Sequence, residues 1–343
     1  MIIALMHERT YKGTQMKKTA LFASILSLAC ALANAAPIKI ATIAPDGTAW
    51  MKEMRAAAEA VKTKTSDRVE IKFYPGGVMG DNATVLRKIK IGQLQGAAFT
   101  GGEAASITPD ANVYSQPFQF RSEDEVDKVR TKVDAQLKAS FEKAGFVVPG
   151  MAGGGFAYLF SVNDIHDKDT LKAAKVWVPQ GDRVAEIAFK AAGVTPIPLP
   201  IADVYTSLQT GLIDAAASTT AGAIAFQWHT KVKHMLDLPL MYVMGYLAID
   251  KKAYDALSAE DRKVLDDEVG AAFARIEKGA RTDNAQARTA LQGQGVAITP
   301  QNAEQRKDWD SIGADARKNL TGVGGISPEL AAAVNKALDE ARK

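Results

Sequence analysis

Segments typical of strands and of helices alternate along the first part of this chain, and this alternation limits the folds open to it. Residues 38–43, 69–74 and 96–99 either alternate polar with apolar side chains or are short and apolar, as strands do. Residues 49–63 and 82–91 read as helices that begin after capping residues. The order β-α-β-α-β predicts an open parallel sheet with covering helices, which is an α/β fold.

The same alternation returns between residues 146 and 218. Strands are predicted at 146–148, 157–160, 175–179 and 215–218, with helices ending near residue 192 and covering 201–210. A chain of 343 residues is longer than one ordinary domain, so the two units predict two lobes with a cleft between them. Ligands in such sheets bind beyond the carboxyl ends of the strands. A long, charged, amphipathic helix is predicted over residues 258–290.

The N-terminus has the three parts of a secretory signal peptide. Lys17 and Lys18 precede an uncharged apolar run over residues 19–33, and Ala33-Asn34-Ala35 supplies small residues for cleavage. We therefore assign residues 1–35 to a signal peptide, with Met16 as the natural start and residues 1–15 as an upstream addition. The only cysteine, Cys30, leaves open a lipid-anchored form, although Ser27-Leu28-Ala29 matches a lipobox poorly. Cleavage near Ala35 predicts a periplasmic protein without stable membrane insertion.

The charge of the mature chain is balanced. The sequence has 42 basic and 39 acidic residues, and residues 1–35 contain four of the basic and one of the acidic ones, which leaves 38 of each. Binding of nucleic acid requires a surplus of Lys and Arg to neutralise phosphates. Composition therefore argues against a nucleic-acid partner.

Sequence signatures of catalysis, metals or cofactors do not occur in the predicted mature chain. Its three histidines, His166, His229 and His234, have no metal-site spacing, and no nucleophile elbow or phosphate-binding loop is found. The run Gly153–Gly155 lacks the spacing of a dinucleotide site and predicts instead a hinge or a close approach of two backbones. We expect no catalytic residue, no metal and no cofactor, and an exported hydrolase is disfavoured.

One helical segment has a distinctive sequence. Residues 201–214 read I-A-D-V-Y-T-S-L-Q-T-G-L-I-D, with an apolar stripe and a terminating glycine, Gly211. This segment resembles the signature of the DctP-type solute receptors of TRAP (tripartite ATP-independent periplasmic) transporters. Other stretches similar to that family follow in the right order, at residues 44–50, 74–80, 116–120 and at Trp228.

The resemblance implies a two-lobed periplasmic binding protein fold, with a ligand cleft between the lobes and a long helix that spans both. Residues 36–158 plus about 250–285 would form lobe I, and residues 159–249 plus about 286–343 would form lobe II. It also implies a receptor that captures a small molecule, closes around it and docks on TRAP membrane subunits. No chemistry on the ligand is expected.

Three departures from the family pattern concern the ligand. Trp177 stands where the family has an Arg that clamps a ligand carboxylate, Ala157 stands at a second Arg position, and residues 214–219 read D-A-A-A-S-T without the usual Glu and Asn. A buried carboxylate without a cation is costly, so a plain dicarboxylate is disfavoured. A neutral, aromatic or apolar solute is expected. A monocarboxylate ligand is the alternative if Arg183 or Lys175 supplies the positive charge. For Trp177, the alternative is ordinary packing in the hydrophobic core.

The resemblance assigns ligand-binding roles to nine residues. They are Trp177, Phe156, Tyr158, Gln180, Ser218, Thr219, Asp46, Gly102 and Glu103. The alternative function is a carrier of a hydrophobic ligand such as a lipid, or a sensor-input protein that is not coupled to transport.

Overall fold

The computed structural model describes residues 37–320 and 325–343. The predicted signal peptide, including Cys30, lies outside the described residues. Nine strands are described: β1 Ile38–Thr42, β2 Ile71–Tyr74, β3 Gly96–Thr100, β4 Phe146–Ser161, β5 Trp177–Pro179, β6 Ile197–Leu199, β7 Ala215–Ser218, β8 His234–Asp250 and β9 Ala297–Pro300.

The described helices alternate with these strands. The α-helices are α1 Ala49–Lys64, α2 Asn82–Lys90, α3 Gly101–Ala104, α4 Glu123–Lys143, α5 Lys168–Lys172, α6 Arg183–Ala191, α7 Val204–Thr210, α8 Thr220–Ala225, α9 Lys251–Asp255, α10 Ala259–Gly293, α11 Ala303–Leu320 and α12 Pro328–Ala341. Short 3-10 helices cover Pro109–Asn112, Ile201–Asp203 and Trp228–Thr230.

Two long antiparallel strands, β4 and β8, run through both lobes. Their pairing extends from Phe146 opposite Asp250 to Ser161 opposite His234. At one end, β8 joins the first-lobe sheet in the order β2-β1-β3-β8. At the other end, β7 pairs with β4 and β9 pairs with β8, while the short pair β5-β6 connects through a bridge between Val176 and Ala215. The two lobes therefore share strands, as the predicted fold class requires.

The 35-residue helix α10 also crosses between the lobes, which confirms the long spanning helix predicted over 258–290. It packs on α1 in the first lobe, on β4 in the middle and on α8 in the second lobe. Asn284 fastens this crossing, because its Nδ2 donates to the Gly154 carbonyl at 2.7 Å and its Oδ1 accepts from the Ala221 amide at 3.1 Å.

Three glycines of β4 lie where neighbouring side chains come very close, whereas the sequence predicted a hinge or a close approach of two backbones. A Cβ added to Gly153 would lie 2.1 Å from Oη of Tyr242, and one added to Gly150 would lie 2.2 Å from the Phe273 ring. Gly155 has a φ of +97°, which disfavours a side chain. A larger residue at Gly150 or Gly153 would force the Phe273 or Tyr242 side chain to move.

The C-terminal helices separate onto different halves of the molecule. Helix α11 packs against α6 of the second lobe, whereas α12 packs against α4 and joins the first-lobe core through Leu330, Val334 and Leu338. We expected all residues after about 286 in lobe II, so α12 is the segment whose packing departs from those boundaries. Within the described ranges, no helix combines the length and apolar character needed to cross a membrane.

Candidate ligand-binding cleft

A cleft of about 760 Å³ opens between the lobes at the carboxyl ends of five strands. Loops after β1, β2 and β3 form one wall, and loops after β5 and β6 form the other. The lining residues are Ile43, Gly77, Gly80–Thr84, Leu86, Thr100, Glu103, Ser106, Pro179–Gly181 and Pro200–Asp203. This is the place where α/β sheets bind ligands, because strand ends meet there and leave a crevice between the loops.

The first-lobe wall is organised by the start of α3. Thr100 and Glu103 form a capping box, in which the Thr100 hydroxyl oxygen accepts from the Glu103 amide at 3.4 Å. In return, Glu103 Oε2 accepts from the Thr100 amide at 2.9 Å and from its hydroxyl at 3.0 Å. Burial raises the pKa of Glu103, since water is kept from its carboxylate. The side chain thus faces the cleft in a fixed position.

The start of α2 completes this wall. Asp81 caps the helix, with Oδ1 accepting from the Thr84 amide at 2.8 Å, and its hydrogen bonds to Thr84 lower the pKa of Asp81. Asn82 ties α2 to α3, because its Nδ2 donates to the Glu103 carbonyl at 3.0 Å and to the Ser106 hydroxyl at 3.1 Å. Two helix starts are therefore held side by side at the opening.

The second-lobe wall consists of two loops joined by backbone. The Gln180 amide donates to the Leu199 carbonyl at 3.2 Å, which holds the loop after β5 to the end of β6. Gly181 has a φ of +87° and permits the turn into α6. Asp203 closes the 3-10 turn before α7, and its exposed carboxylate makes no capping bond.

Asp182 connects the two walls. It caps α6 through the Ala185 amide at 3.1 Å, and its Oδ1 also accepts from Nδ2 of Asn112 in the first lobe at 3.3 Å. A Cβ on Gly102 would lie only 2.4 Å from its Oδ2, so the lobes touch here. Only 3% of Asp182 is exposed, and this burial raises its pKa to about 6.

Trp177 lies in the hydrophobic core of the second lobe. Its ring meets Trp228 edge to face at 5.3 Å between centroids, and only 3% of the residue is exposed. The indole N–H donates to the Leu199 carbonyl at 3.0 Å, so this donor is already used within the protein. A ligand-binding role for Trp177 stays a prediction, whereas its packing role is evident.

Four other predicted residues lie on β4 and at the end of β7. Phe156 packs edge to face on Tyr242 at 5.2 Å, and Tyr158 lies 5.8 Å from the Arg288 guanidinium. Burial raises the pKa of Tyr158. Ser218 pairs with Tyr158 across the strands. Thr219 caps α8 through the Gly222 amide at 3.0 Å. None of these four is among the residues that line the cleft described above.

The remaining predicted residues are divided between the two walls and their surroundings. Glu103 and Gln180 line the cleft, and Gly102 packs on Asp182 next to it. Asp46 is exposed and forms an ion pair with Arg55 at 3.0 Å. Sequence reasoning missed Asp182 and Asn112. The capping position of Asp182 before α6 was a usable signal, but its partner 70 residues away was not.

No Lys, Arg or His occurs among the residues that line this cleft. Lys175, one candidate to replace the missing Arg, places its Nζ on the Gly211 carbonyl at 3.0 Å. Arg183, the other candidate, is exposed and stands outside the lining residues. Nor do the described residues contain a cluster of His, Cys, Asp or Glu side chains placed to hold a metal ion.

Comparison with known proteins identifies one family and several relatives. The model of DctP, bacterial extracellular solute-binding protein family 7, matches residues 40–320. A solute-binding protein of Chromohalobacter salexigens is 28% identical over 220 residues, covering 62% of this chain. This match spans 64% of that relative's length. The C4-dicarboxylate-binding periplasmic protein of Rhodobacter capsulatus is 22% identical, covering 84% of this chain and 89% of its own.

Solved structures give the same fold. A TRAP periplasmic solute-binding protein from Chromohalobacter salexigens with bound D-glucuronate superimposes with a TM-score of 0.80 at 21% identity. The superposition covers 88% of this chain and 99% of that structure. This likeness confirms the two-lobed architecture and leaves the ligand to be argued from the cleft itself.

Proposed function

The chain belongs to bacterial extracellular solute-binding protein family 7, the DctP family, and we propose that it is a periplasmic receptor that delivers a small molecule to TRAP membrane subunits. Residues 1–35 would direct its export. The family and the fold are those of solute-binding receptors rather than of enzymes. Delivery to this transporter type is suggested by relatives whose names place them in the periplasm and in TRAP systems.

The observation that carries this proposal is the cleft between two lobes that share β4, β8 and α10. Loops from both lobes line it, so a solute bound there contacts both walls at once. Contacts that exist only when the lobes close favour the closed form, and the membrane subunits would recognise that form. The strands that both lobes share would supply the hinge.

The cleft favours a solute other than a dicarboxylate. Two carboxylates of one solute would each need a cation or several donors to offset the loss of hydration. The lining offers no basic side chain, and neither Lys175 nor Arg183 reaches it. We propose that the solute is not a plain dicarboxylate, in contrast to the ligand named for the Rhodobacter capsulatus relative.

The alternative function is a carrier of a hydrophobic ligand, which would need an apolar cavity large enough to hold that ligand. One apolar cavity lies under α6 and α11, lined by Phe118, Leu159, Phe189, Trp309 and other apolar side chains. Its volume is about 60 Å³, which is too small for a lipid chain. The larger cleft has room for a small molecule and polar side chains to orient it, which makes a solute receptor the better proposal.

Native mass spectrometry tests the receptor role. Protein purified from the periplasm without unfolding should show a second species, heavier by the mass of one small molecule. Small-angle scattering should then report a smaller radius of gyration with this solute than after its removal by unfolding and refolding. A protein that binds nothing from a periplasmic extract, and keeps one radius throughout, contradicts the receptor role.

A further inference from the structure

The contact between Asp182 and Asn112 is the place where one proton acts on both lobes. Asp182 caps α6 of the second lobe, and Asn112 is the last residue of a 3-10 helix in the first lobe. Only 3% of Asp182 and 1% of Asn112 are exposed, so water is kept from both side chains. We propose that the lobes bind a proton at Asp182 when they close, which makes solute capture proton-linked. This inference rests on the proposed receptor function, because it concerns the closed form.

Asn112 lacks one hydrogen-bond partner at this contact. Its Nδ2 donates to Asp182 Oδ1 at 3.3 Å, whereas its own Oδ1 is buried and has no partner among the described residues. A buried acceptor without a donor is costly. A protonated Asp carboxyl has an O–H donor that the carboxylate lacks, so it can pair with an amide through two hydrogen bonds. A proton on Asp182 would therefore supply the donor that Asn112 lacks.

No positive charge compensates the carboxylate form of Asp182. Burial raises its pKa to about 6, and the negative charge of Glu186 on the same helix adds to this rise. The hydrogen bonds from the Ala185 amide and from Asn112 oppose the rise without cancelling it. Among the described residues, no Lys, Arg or His contributes to the pKa of Asp182. The buried contact therefore favours the neutral acid.

The charged groups on the elements packed against Asp182 have other partners or face solvent. Glu103, on the first-lobe helix α3, accepts from Thr100. Asp110, on the same 3-10 helix as Asn112, accepts from two serine hydroxyls. Arg183, the next residue after Asp182, is exposed. Asp182 is thus the group through which a proton would change the contact between the lobes.

Opening of the lobes reverses the preference for the proton. When the contact with Asn112 breaks, water reaches the Asp182 carboxyl, and its pKa returns towards the ordinary 3.8. Between pH 3.8 and 6 the closed form binds the proton and the open form releases it, so acid favours closure. Closure on a solute should then take up most of one proton near pH 5 and almost none at pH 8. Solute affinity should be about tenfold higher at pH 5 than at pH 8.

The distance between the lobes tests this on solute-free periplasmic protein. Cys30 lies in the predicted signal peptide and is the only cysteine of the sequence, so Val78→Cys and Gln209→Cys place one spin label on each lobe at exposed positions. Pulsed electron paramagnetic resonance should show a larger share of short distances at pH 5 than at pH 8. Asp182→Asn, whose amide donates at every pH, should give one distribution at both. The exposed control Asp308→Asn should respond to pH like the unaltered protein.

Calorimetry counts the proton directly. The probe is the solute collected from unfolded periplasmic protein, and it is titrated into refolded protein in buffers that differ in ionisation enthalpy. The dependence of the measured heat on the buffer should show uptake of most of one proton at pH 5 and almost none at pH 8. Asp182→Asn should remove this uptake and keep one affinity at both pH values.

The outcomes separate this inference from the receptor role. A solute affinity and a label distribution that are the same at pH 5 and pH 8, or an Asp182→Asn variant that keeps the full pH response, would overturn proton-linked closure and leave the receptor role intact. A protein that binds nothing from the periplasm contradicts the receptor role. The label distances of Asp182→Asn and Asp308→Asn would still report whether a proton on Asp182 draws the lobes together.

Discussion

The two walls of the cleft use their side chains in opposite ways. On the first-lobe wall, polar side chains such as Glu103 and Asn82 are fixed by helix starts and face the opening. Behind the second-lobe wall, Trp177 and Trp228 pack into the core, and the Trp177 N–H is used by backbone. The comparison teaches that the residues marked by a departure from a family pattern and the residues that line this cleft need not be the same.

Removing the Trp177 ring should break the second-lobe wall and have the largest effect. We expect Trp177→Ala to lower the free energy of unfolding by about 3–5 kcal/mol, because a buried ring leaves a cavity beside Trp228. Trp177→Phe is the matched control, which keeps an aromatic ring but loses the indole N–H and part of the ring volume. Urea unfolding measures both. A stable Ala variant that has lost solute binding would instead place Trp177 in the binding site.

Asp182 should make stability depend on pH where the two walls touch. Its folded pKa of about 6 lies above the ordinary value of 3.8, so the folded state favours the protonated acid. Below pH 3.8 the acid is protonated in both states and no penalty exists. Between pH 3.8 and 6 the penalty grows, and above pH 6 it is complete, at about 3 kcal/mol.

Asp182→Asn tests this dependence. Asn caps a helix as well as Asp and can still bond Asn112, so the variant should gain stability at pH 7 and little at pH 4. Urea unfolding of both proteins from pH 3.5 to 8 measures the difference. A constant difference across that range would show that Asp182 titrates normally.

Gly102→Ala should force the walls apart at the same contact. The new methyl would lie 2.4 Å from Asp182 Oδ2, which is held by the cap, and we expect a loss of about 1–3 kcal/mol. Gly279→Ala on α10 is the control, since its methyl meets nothing within 4 Å and should stabilise the helix by up to about 1 kcal/mol. Thermal melts compare them. Adding Asp182→Ala to Gly102→Ala should restore part of the loss.

Asp46 should have the smallest effect. Its ion pair with Arg55 joins side chains that are 61% and 49% exposed, so Asp46→Ala should cost at most about 1 kcal/mol. Solute affinity should stay unchanged, because Asp46 is not among the lining residues. Calorimetry with the solute that co-purifies with the periplasmic protein measures this affinity. A clear loss of affinity would instead show that Asp46 contacts the solute and that the binding site extends beyond the cleft described above.

Local patterns predicted the parts of the fold that depend on neighbouring residues. The helix start at Thr48, the αL glycine at Gly211 and the small strand β7 lie where the sequence placed them. Strand β4 was split into two pieces at Pro149 and the glycines, because these residues weaken a strand by local rules. In the structure, pairing with β8 over the full length outweighs that weakness.

The candidate site was harder to predict because its geometry is nonlocal. Glu103 and Gln180 were identified from the family pattern, and both line the cleft. The contact of Asp182 with Asn112 joins residues 70 positions apart, which no window of sequence reveals. Phe156 and Tyr158 were also assigned ligand-binding roles from the family pattern, but they are not among the residues that line this cleft, and those roles stay predictions.

The position of α12 has a consequence for how the chain is made. The first-lobe core needs Leu330, Val334 and Leu338, which are the last part of the chain to leave the ribosome. Its other members begin near residue 41, so the first lobe is not a contiguous piece that can finish folding before the C-terminal helix is made. If the chain is exported in an extended form, as the proposed function implies, this arrangement would favour export, because the first lobe could not become compact until residues 330–338 are made.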